Sequence, residues 1–164
     1  MSVETRAERG PETSEARQGL DFGPLAQHLG YVLRRAQIAV FHDFFDAFAP
    51  FDIKPAQYSI LTIIEHNPGL KQTQVCDALG IKRTNFVAMI DELEARGLAR
   101  REEAPGDRRS HALVLTRAGE VLMPQLHATA AVHERRLIKS VGASRHREML
   151  AALASLAAAL GESE

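Results

Sequence analysis

Turn chemistry cuts the stretch from Lys54 to Thr116 at intervals too short for a large sheet or a long helix. The breaks are Lys54-Pro55, Asn67-Pro68-Gly69, Gly80, Gly97 and Ala104-Pro105-Gly106-Asp107. Proline suits a helix's first turn, and glycine tolerates the left-handed conformation that often follows its last. Between these breaks the apolar residues recur with helical spacing. Tyr58, Ile60, Leu61, Ile63 and Ile64 mark one helix, residues 72–79 a short second one, and residues 83–96 a third. The texture then changes. Residues 98–102 and 110–115 read as two strands around the Pro-Gly-Asp turn, forming the one sheet the sequence offers.

Longer helices flank this segment. One is expected over 25–48, after Pro24 and stopped before Pro50, because a residue preceding proline is driven out of the helical region. Another runs from a Thr116 cap to about residue 141, with Pro124 expected to kink it, and an Ala/Leu-rich helix capped by Ser144 ends near residue 160. The apolar residues of these outer helices exceed what one small core requires, so a second subunit is expected to cover them. The alternative is that the two helices pack only on their own chain. The fold class is therefore mainly α with a small β-hairpin wing, a winged helix-turn-helix whose N- and C-terminal helices form a dimer. Residues 1–22 read as a solvated tail and 23–164 as one domain, with a winged-helix part near 53–117 and dimerisation helices near 24–49 and 117–161.

Composition narrows the function. The chain has 164 residues, and its 20 Lys and Arg against 21 Asp and Glu leave a net charge of −1. That excludes a wholly basic nucleic-acid coat but leaves room for a local basic patch. A single cysteine, Cys76, rules out an internal disulfide and fits a reducing compartment. It has no flanking cation to lower its pKa and reads as a packing residue rather than a redox sensor. No apolar run is long enough for a membrane span and residues 1–19 lack a secretory h-region, so a cytoplasmic protein is expected.

The helix over 83–96 separates into two faces at about 100° per residue. Phe86, Met89, Ile90, Leu93 and Gly97 share one arc. Thr84, Ala88, Asp91 and Ala95 lie opposite, with Asn85 and Glu92 on a flank. The outer face is small and polar near its start, as close approach to a major-groove floor demands. Thr84 and Asn85 can hydrogen-bond base edges, and the Ala88 methyl can meet a thymine methyl. Lys82 and Arg83 stand at the N-terminus, where helix dipole and free N–H groups already favour phosphate. Glu92 and Arg96 are spaced to pair. An ordinary amphipathic helix with charged ends would show much of the same pattern.

The hairpin weighs against that plainer reading. Its tip carries Asp107-Arg108-Arg109-Ser110-His111, and an arginine on a narrow ribbon can enter a minor groove. Asp107 can brace an arginine through a salt bridge.

The runs Leu79-Gly80-Ile81-Lys82-Arg83-Thr84, Ile90-Asp91-Glu92-Leu93-Glu94-Ala95-Arg96-Gly97-Leu98, Asp107-Arg108-Arg109 and Leu113-Val114-Leu115-Thr116-Arg117-Ala118-Gly119 together resemble the MarR family of transcriptional regulators. The D-x-R wing followed by L-T-x-x-G carries most of the likeness, which extends over about residues 25–160. It implies a homodimer on double-stranded DNA with a pseudo-palindromic operator, usually a repressor released by a small molecule. In that comparison Arg109 matches the minor-groove wing arginine and Asp107 the acid that positions it. Thr84, Asn85 and Ala88 match the base-facing part of the reading helix. Lys82 stands where many members have a Ser or Thr cap, so the cap must come from elsewhere and Lys82 is free for phosphate.

Five of the seven phenylalanines fall between Phe41 and Phe51. On a regular helix Phe41, Phe44, Phe45 and Phe48 share a face, Arg34 points within about 20° of Phe41, and Tyr31 and Ile38 border the sector. A cation on an aromatic face can hold an anionic aromatic ligand. The competing reading makes these rings dimer core and pairs Arg34 with a carboxylate. Family likeness adds Tyr58 and His66 as effector contacts. The sequence also resembles the subgroup that answers to hydroxycinnamoyl-CoA thioesters, which implies an aromatic acyl-CoA effector, makes Arg34 and Arg35 candidates for its phosphates and points to aromatic-compound catabolism. Free phenolic or benzoic acids are the rival effectors.

Other classes find less support. Of seven histidines only His42, with Asp46, shows ligand spacing on a helix, and no CxxC or HExxH occurs, so no metal or cofactor is expected. No nucleophile–base pair or glycine-rich phosphate loop suggests an enzyme. A winged-helix module that only holds proteins together remains the alternative from another class. It would have no use for Arg109 at the tip or for Thr84 and Asn85 on an open face.

Overall fold

The structure is a computed structural model that describes residues 20–161 apart from 105–106, with backbone only for 104–110. The chain forms two compact units, Met1–Ile38 and Ala39–Glu164.

In the first unit the expected helix start at residue 25 is replaced by a 3-10 turn, Gly23–Gln27. Gly23 adopts φ 50° and its N–H donates to Asp21 Oδ1 at 2.8 Å. His28 then turns extended (ψ 120°) while its N–H closes on Leu25 O at 3.0 Å, so the α-helical ladder begins only at α1, Leu29–Phe48. Tyr31 packs on Phe22, ring centroids 6.1 Å apart. Helix α1 ends in the second unit.

The second unit carries the short elements that the turn chemistry predicts. After a 3-10 turn, Ala49–Phe51, come α2 (Pro55–His66), α3 (Gln72–Leu79) and α4 (Arg83–Ala95). Gly80 and Gly97, at φ 59° and 66°, close α3 and α4 in the left-handed conformation. Strands β2 (Ala99–Ala104) and β3 (Asp107–Leu115) form the hairpin. The sheet has a third member that the sequence reading lacked. Strand β1, Leu70–Lys71, pairs antiparallel with β3 through Leu70–Leu113 and Lys71–Ala112, giving the order β1-β3-β2. Two residues carry no readable alternation, so only the distant partner defines this strand.

Helix α5 (Arg117–Val141) is capped by Thr116, whose hydroxyl accepts from Gly119 N at 3.1 Å, and it continues through Pro124. Helix α6 spans Ala143–Gly161. Ser144 does not cap it: Ser144 already lies in the first turn and its hydroxyl donates to Glu148 at 2.9 Å. The core of this unit gathers Ile60, Leu61 and Ile64 of α2, Val75 of α3, Phe86, Ile90 and Leu93 of α4, Leu113 of β3 and Met123 and Leu126 of α5, all under 2% exposed. Helix α6 buries nothing of its own, and Met149, Leu150, Leu153 and Leu160 are 40–67% exposed. Among the described residues no helix is long and apolar enough to cross a membrane.

Candidate nucleic-acid interface

Burial splits α4 as its periodicity requires. Phe86, Ile90 and Leu93 are buried and Met89 is half-buried, while Lys82, Arg83, Thr84, Asn85 and Ala88 are all exposed. Lys82 occupies the N-cap with no side-chain hydrogen bond to the helix. Neither Lys82 nor Arg83 has a carboxylate partner among the described residues, so two cations stand at a helix end that already favours anions.

The acids of α4 are engaged elsewhere. Arg101 of β2 reaches both outer carboxylates: Nη2 contacts Asp91 at 2.8 Å, Nη1 bonds Glu94, and its backbone N–H donates to Glu94 Oε1 at 2.7 Å. The expected Glu92–Arg96 pair does not form. Glu92 Oε2 takes hydrogen bonds from Lys54 Nζ at 3.0 Å and Gln57 Nε2 at 2.7 Å. Arg96 instead donates to the carbonyls of Asp52 and Phe51, both at 2.6 Å. Partners from α2 and the preceding turn outcompete the neighbour one helical turn away, a pair worth only a few tenths of a kcal/mol. The acidic half of α4 is thereby largely offset and its first turn stays cationic. Arg101 and Arg96 were not legible as contributors, since their partners lie across a turn or in another element.

In the wing, His111 is exposed and pairs with Glu103 in the β2–β3 register. Asp107, Arg108, Arg109 and Ser110 belong to β3 by backbone. Their side chains, and with them the expected Asp107 brace, lie outside the described residues. Thr116 and Gly119 fasten the base of the wing. Thr116 donates to Gly97 O from its hydroxyl and to Leu98 O from its backbone at 3.1 Å.

The candidate ligand residues distribute over both units. In the first, Arg34 and Ile38 are exposed and Tyr31 and Arg35 half-buried; neither arginine has a carboxylate partner among the described residues. In the second, the phenylalanine stripe divides. Phe44 and Phe48 are buried, stacked at 3.8 Å and 7°, with Tyr58 against both at 6.1 and 5.4 Å. Phe41 and Phe45, one row over, are 39% and 49% exposed. His66 is exposed, its Nδ1 donating to Thr62 O at 2.9 Å.

Two polar relays that sequence spacing did not reveal join α5 to the rest of this unit. Glu65 Oε2 lies 2.6 Å from His127 Nε2, and His127 Nδ1 lies 2.9 Å from the Tyr58 hydroxyl. A carboxylate only accepts, so His127 Nε2 donates to Glu65, and Nδ1 and the Tyr58 hydroxyl share the second bond. Burial raises the Tyr58 pKa. In the other relay Asp43 accepts from Arg136 at 3.0 Å and from His133 at 2.6 Å, and these bonds, Arg136's foremost, hold its pKa below the ordinary value. Burial pushes the Cys76 thiol up, away from the reactive thiolate. Among the described residues no group of three or more His, Cys, Asp or Glu could hold a metal ion.

Comparison with known proteins places this geometry. The MarR family model matches residues 51–110, which run from the turn before α2 to the wing. A protein of Thauera aromatica assigned to transcriptional regulation of the hcr operon is 35% identical over 115 residues, 70% of this chain and 69% of its own. Among solved structures, the repressor CouR bound to a 23-mer DNA duplex superposes with a TM-score of 0.80 at 45% identity, over 84% of this chain and 98% of that one. CouR bound to p-coumaroyl-CoA gives 0.79 at 42% identity, over 84% and 97%. With its cation-tipped α4, its hairpin within a three-stranded sheet and this degree of likeness, the chain belongs to the MarR family and is a transcriptional regulator.

Proposed function

We propose that the chain is a homodimeric repressor that reads a pseudo-palindromic operator and is released by an aromatic acyl-CoA, a hydroxycinnamoyl-CoA thioester above all. The observation that carries this reading is α4 itself: an exposed Lys82-Arg83-Thr84-Asn85 start, an exposed Ala88, and acids drawn off by Arg101, Lys54 and Gln57. Lys82 and Arg83 bind backbone phosphate, Thr84, Asn85 and Ala88 meet base edges, and Arg109, oriented by Asp107 and flanked by Arg108, Ser110 and His111, enters the minor groove. Residues near 53–117 form the reading part, and helices near 24–49 and 117–161 pair the two copies. The exposed Met149, Leu150, Leu153 and Leu160 of α6 supply apolar surface for that pairing.

Likeness to a CouR bound to p-coumaroyl-CoA supports the effector class and, with it, control of aromatic-compound catabolism in the cytoplasm. Arg34 and Arg35 offer charge to the effector's phosphates. For the aromatic head the candidates are Tyr58 and the rings Phe41, Phe44, Phe45 and Phe48, with Tyr31, Ile38 and His66 as the remaining candidate contacts. Release requires the effector to bind better to a dimer whose reading helices no longer match half-sites one helical turn apart.

Fluorescence anisotropy on labelled DNA from immediately upstream of the gene tests the reading. Retention should be sequence-selective, should weaken linearly in log salt, and should be reversed by p-coumaroyl-CoA but not by p-coumarate or CoA alone. No retention at low salt refutes the DNA-reading role, and release by the free acid refutes the effector class.

A further inference from the structure

The turn between α1 and α2 contains the one non-glycine residue with positive φ among those described: Asp52, at φ 49° and ψ 46°. Aspartate tolerates this region better than most residues, yet a non-glycine held there needs support from its surroundings. That support comes from the far end of the reading helix. The Arg96 guanidinium grips the carbonyls of Asp52 and Phe51 with two donors at 2.6 Å each. One turn earlier on α4, Glu92 receives Gln57 Nε2 and Lys54 Nζ, and Gln57 Oε1 in turn accepts from Lys54 N at 3.0 Å at the start of α2. The two links differ in weight. Lys54 and Glu92 are about half exposed, so their ion pair contributes little. Gln57 is 1% exposed, so its amide, deprived of its acceptor, would have little water to replace it.

The core reaches this region through Ile53 and Leu93, 2% and 0% exposed, but the polar links themselves border a cleft. The space beside them is an open cleft of about 380 Å³ lined by Asp52, Lys54, Gln57, Glu92, Ala95 and Arg96. Polar clamps therefore act alongside the core contacts of Leu93 in holding the C-terminal half of α4 against the turn.

We propose that Arg96, Glu92 and Gln57 are positioning residues that set the angle at which α4 is presented to DNA, by tying its C-terminal half to the left-handed turn at Asp52. The proposal rests on the reading of α4 as the DNA-contacting helix. None of the three touches the duplex. A change at the α1–α2 turn reaches the reading helix through them, because the turn cannot shift without breaking the Arg96 fork.

The test uses the full-length protein with Arg96→Ala, Glu92→Ala and the shape-conserving Glu92→Gln, read by amide hydrogen exchange, by melting and by anisotropy on the upstream DNA. Arg96→Ala and Glu92→Ala should each speed exchange in residues 51–54 and in the last turn of α4, and weaken DNA binding roughly tenfold. The slope of log affinity against log salt should stay at the wild-type value, and Glu92→Gln should restore exchange and affinity, since its carbonyl still accepts from Gln57. If Arg96→Ala lowers the salt slope by about one, Arg96 is a phosphate contact and the proposal is wrong. It is equally wrong if exchange quickens in the turn alone while α4 and DNA affinity stay within twofold of wild type. Should the wild-type protein retain no DNA, the DNA-reading role fails while the exchange measurements still decide whether the clamp orders α4.

Discussion

Gly119 runs so close to Leu98 that a Cβ built on it would lie 2.1 Å from the Leu98 carbonyl oxygen and 3.1 Å from the carbonyl carbon. Both atoms are backbone, so neither can swing aside as a side chain would. The same carbonyl accepts from Thr116 N at 3.1 Å, and the Thr116 hydroxyl bonds both Gly97 O and Gly119 N. The glycine of the L-T-x-x-G run is thus a packing requirement where α5 crosses the base of the hairpin. Gly119→Ala should destabilise the fold by about 1–3 kcal/mol or more, the usual cost of overpacking when backbone must move. Thermal melting followed by circular dichroism checks this, and a melt within a degree of wild type would contradict the contact.

That glycine shows where the sequence was legible. Gly80 and Gly97 mark helix ends because a left-handed residue is a local matter, and both adopt it. The faces of α4 were readable for the same reason: 3.6-residue periodicity is local, and Phe86, Ile90 and Leu93 are buried while Thr84, Asn85 and Ala88 are exposed. The rest depends on distant partners. Strand β1 exists through Leu113 and Ala112, and Glu92 finds Gln57 and Lys54 rather than Arg96. The phenylalanine face, continuous on a helical wheel, is divided by what packs on it: Phe44 and Phe48 meet Tyr58, and Phe41 and Phe45 stay exposed.

Arg101 joins the wing to the reading helix. Its side chain is 20% exposed and that of Glu94 29%, so this pair is partly withdrawn from water, whereas Asp91 at 60% adds little. A double-mutant cycle of Arg101→Met and Glu94→Gln should give a coupling of about 1–2 kcal/mol in stability. Arg101→Met alone should also weaken DNA binding, because two carboxylates on α4 lose their counter-charge. Purely additive melting shifts would mean that the contact orders nothing.

At the tip of the wing, Arg109→Ala should weaken binding to the upstream DNA by about 1–3 kcal/mol while the dimer stays intact by light scattering. Lys82→Ala should instead lower the salt slope by about one and weaken all duplexes alike. Those two outcomes separate minor-groove recognition from phosphate contact. Unchanged affinity in Arg109→Ala would remove the wing from the reading mechanism.

Asp43 gives the fold a dependence on acid. Arg136 and His133 both donate to its carboxylate and hold its pKa below the unfolded value near 3.8. A carboxyl whose folded pKa is depressed adds stability that is present above its unfolded value and is lost as pH falls through the folded one. Asp43→Asn removes the charge at every pH and leaves Arg136 and the buried His133 facing a neutral amide. The variant should therefore melt below wild type at pH 5, with the gap narrowing as pH drops under about 4 and closing once wild-type Asp43 is itself protonated. Melting both proteins in urea at half-unit steps from pH 5 to pH 2 measures that gap. A gap that stays constant down to pH 2 would show that the Asp43 carboxylate charge is not what Arg136 and His133 stabilise.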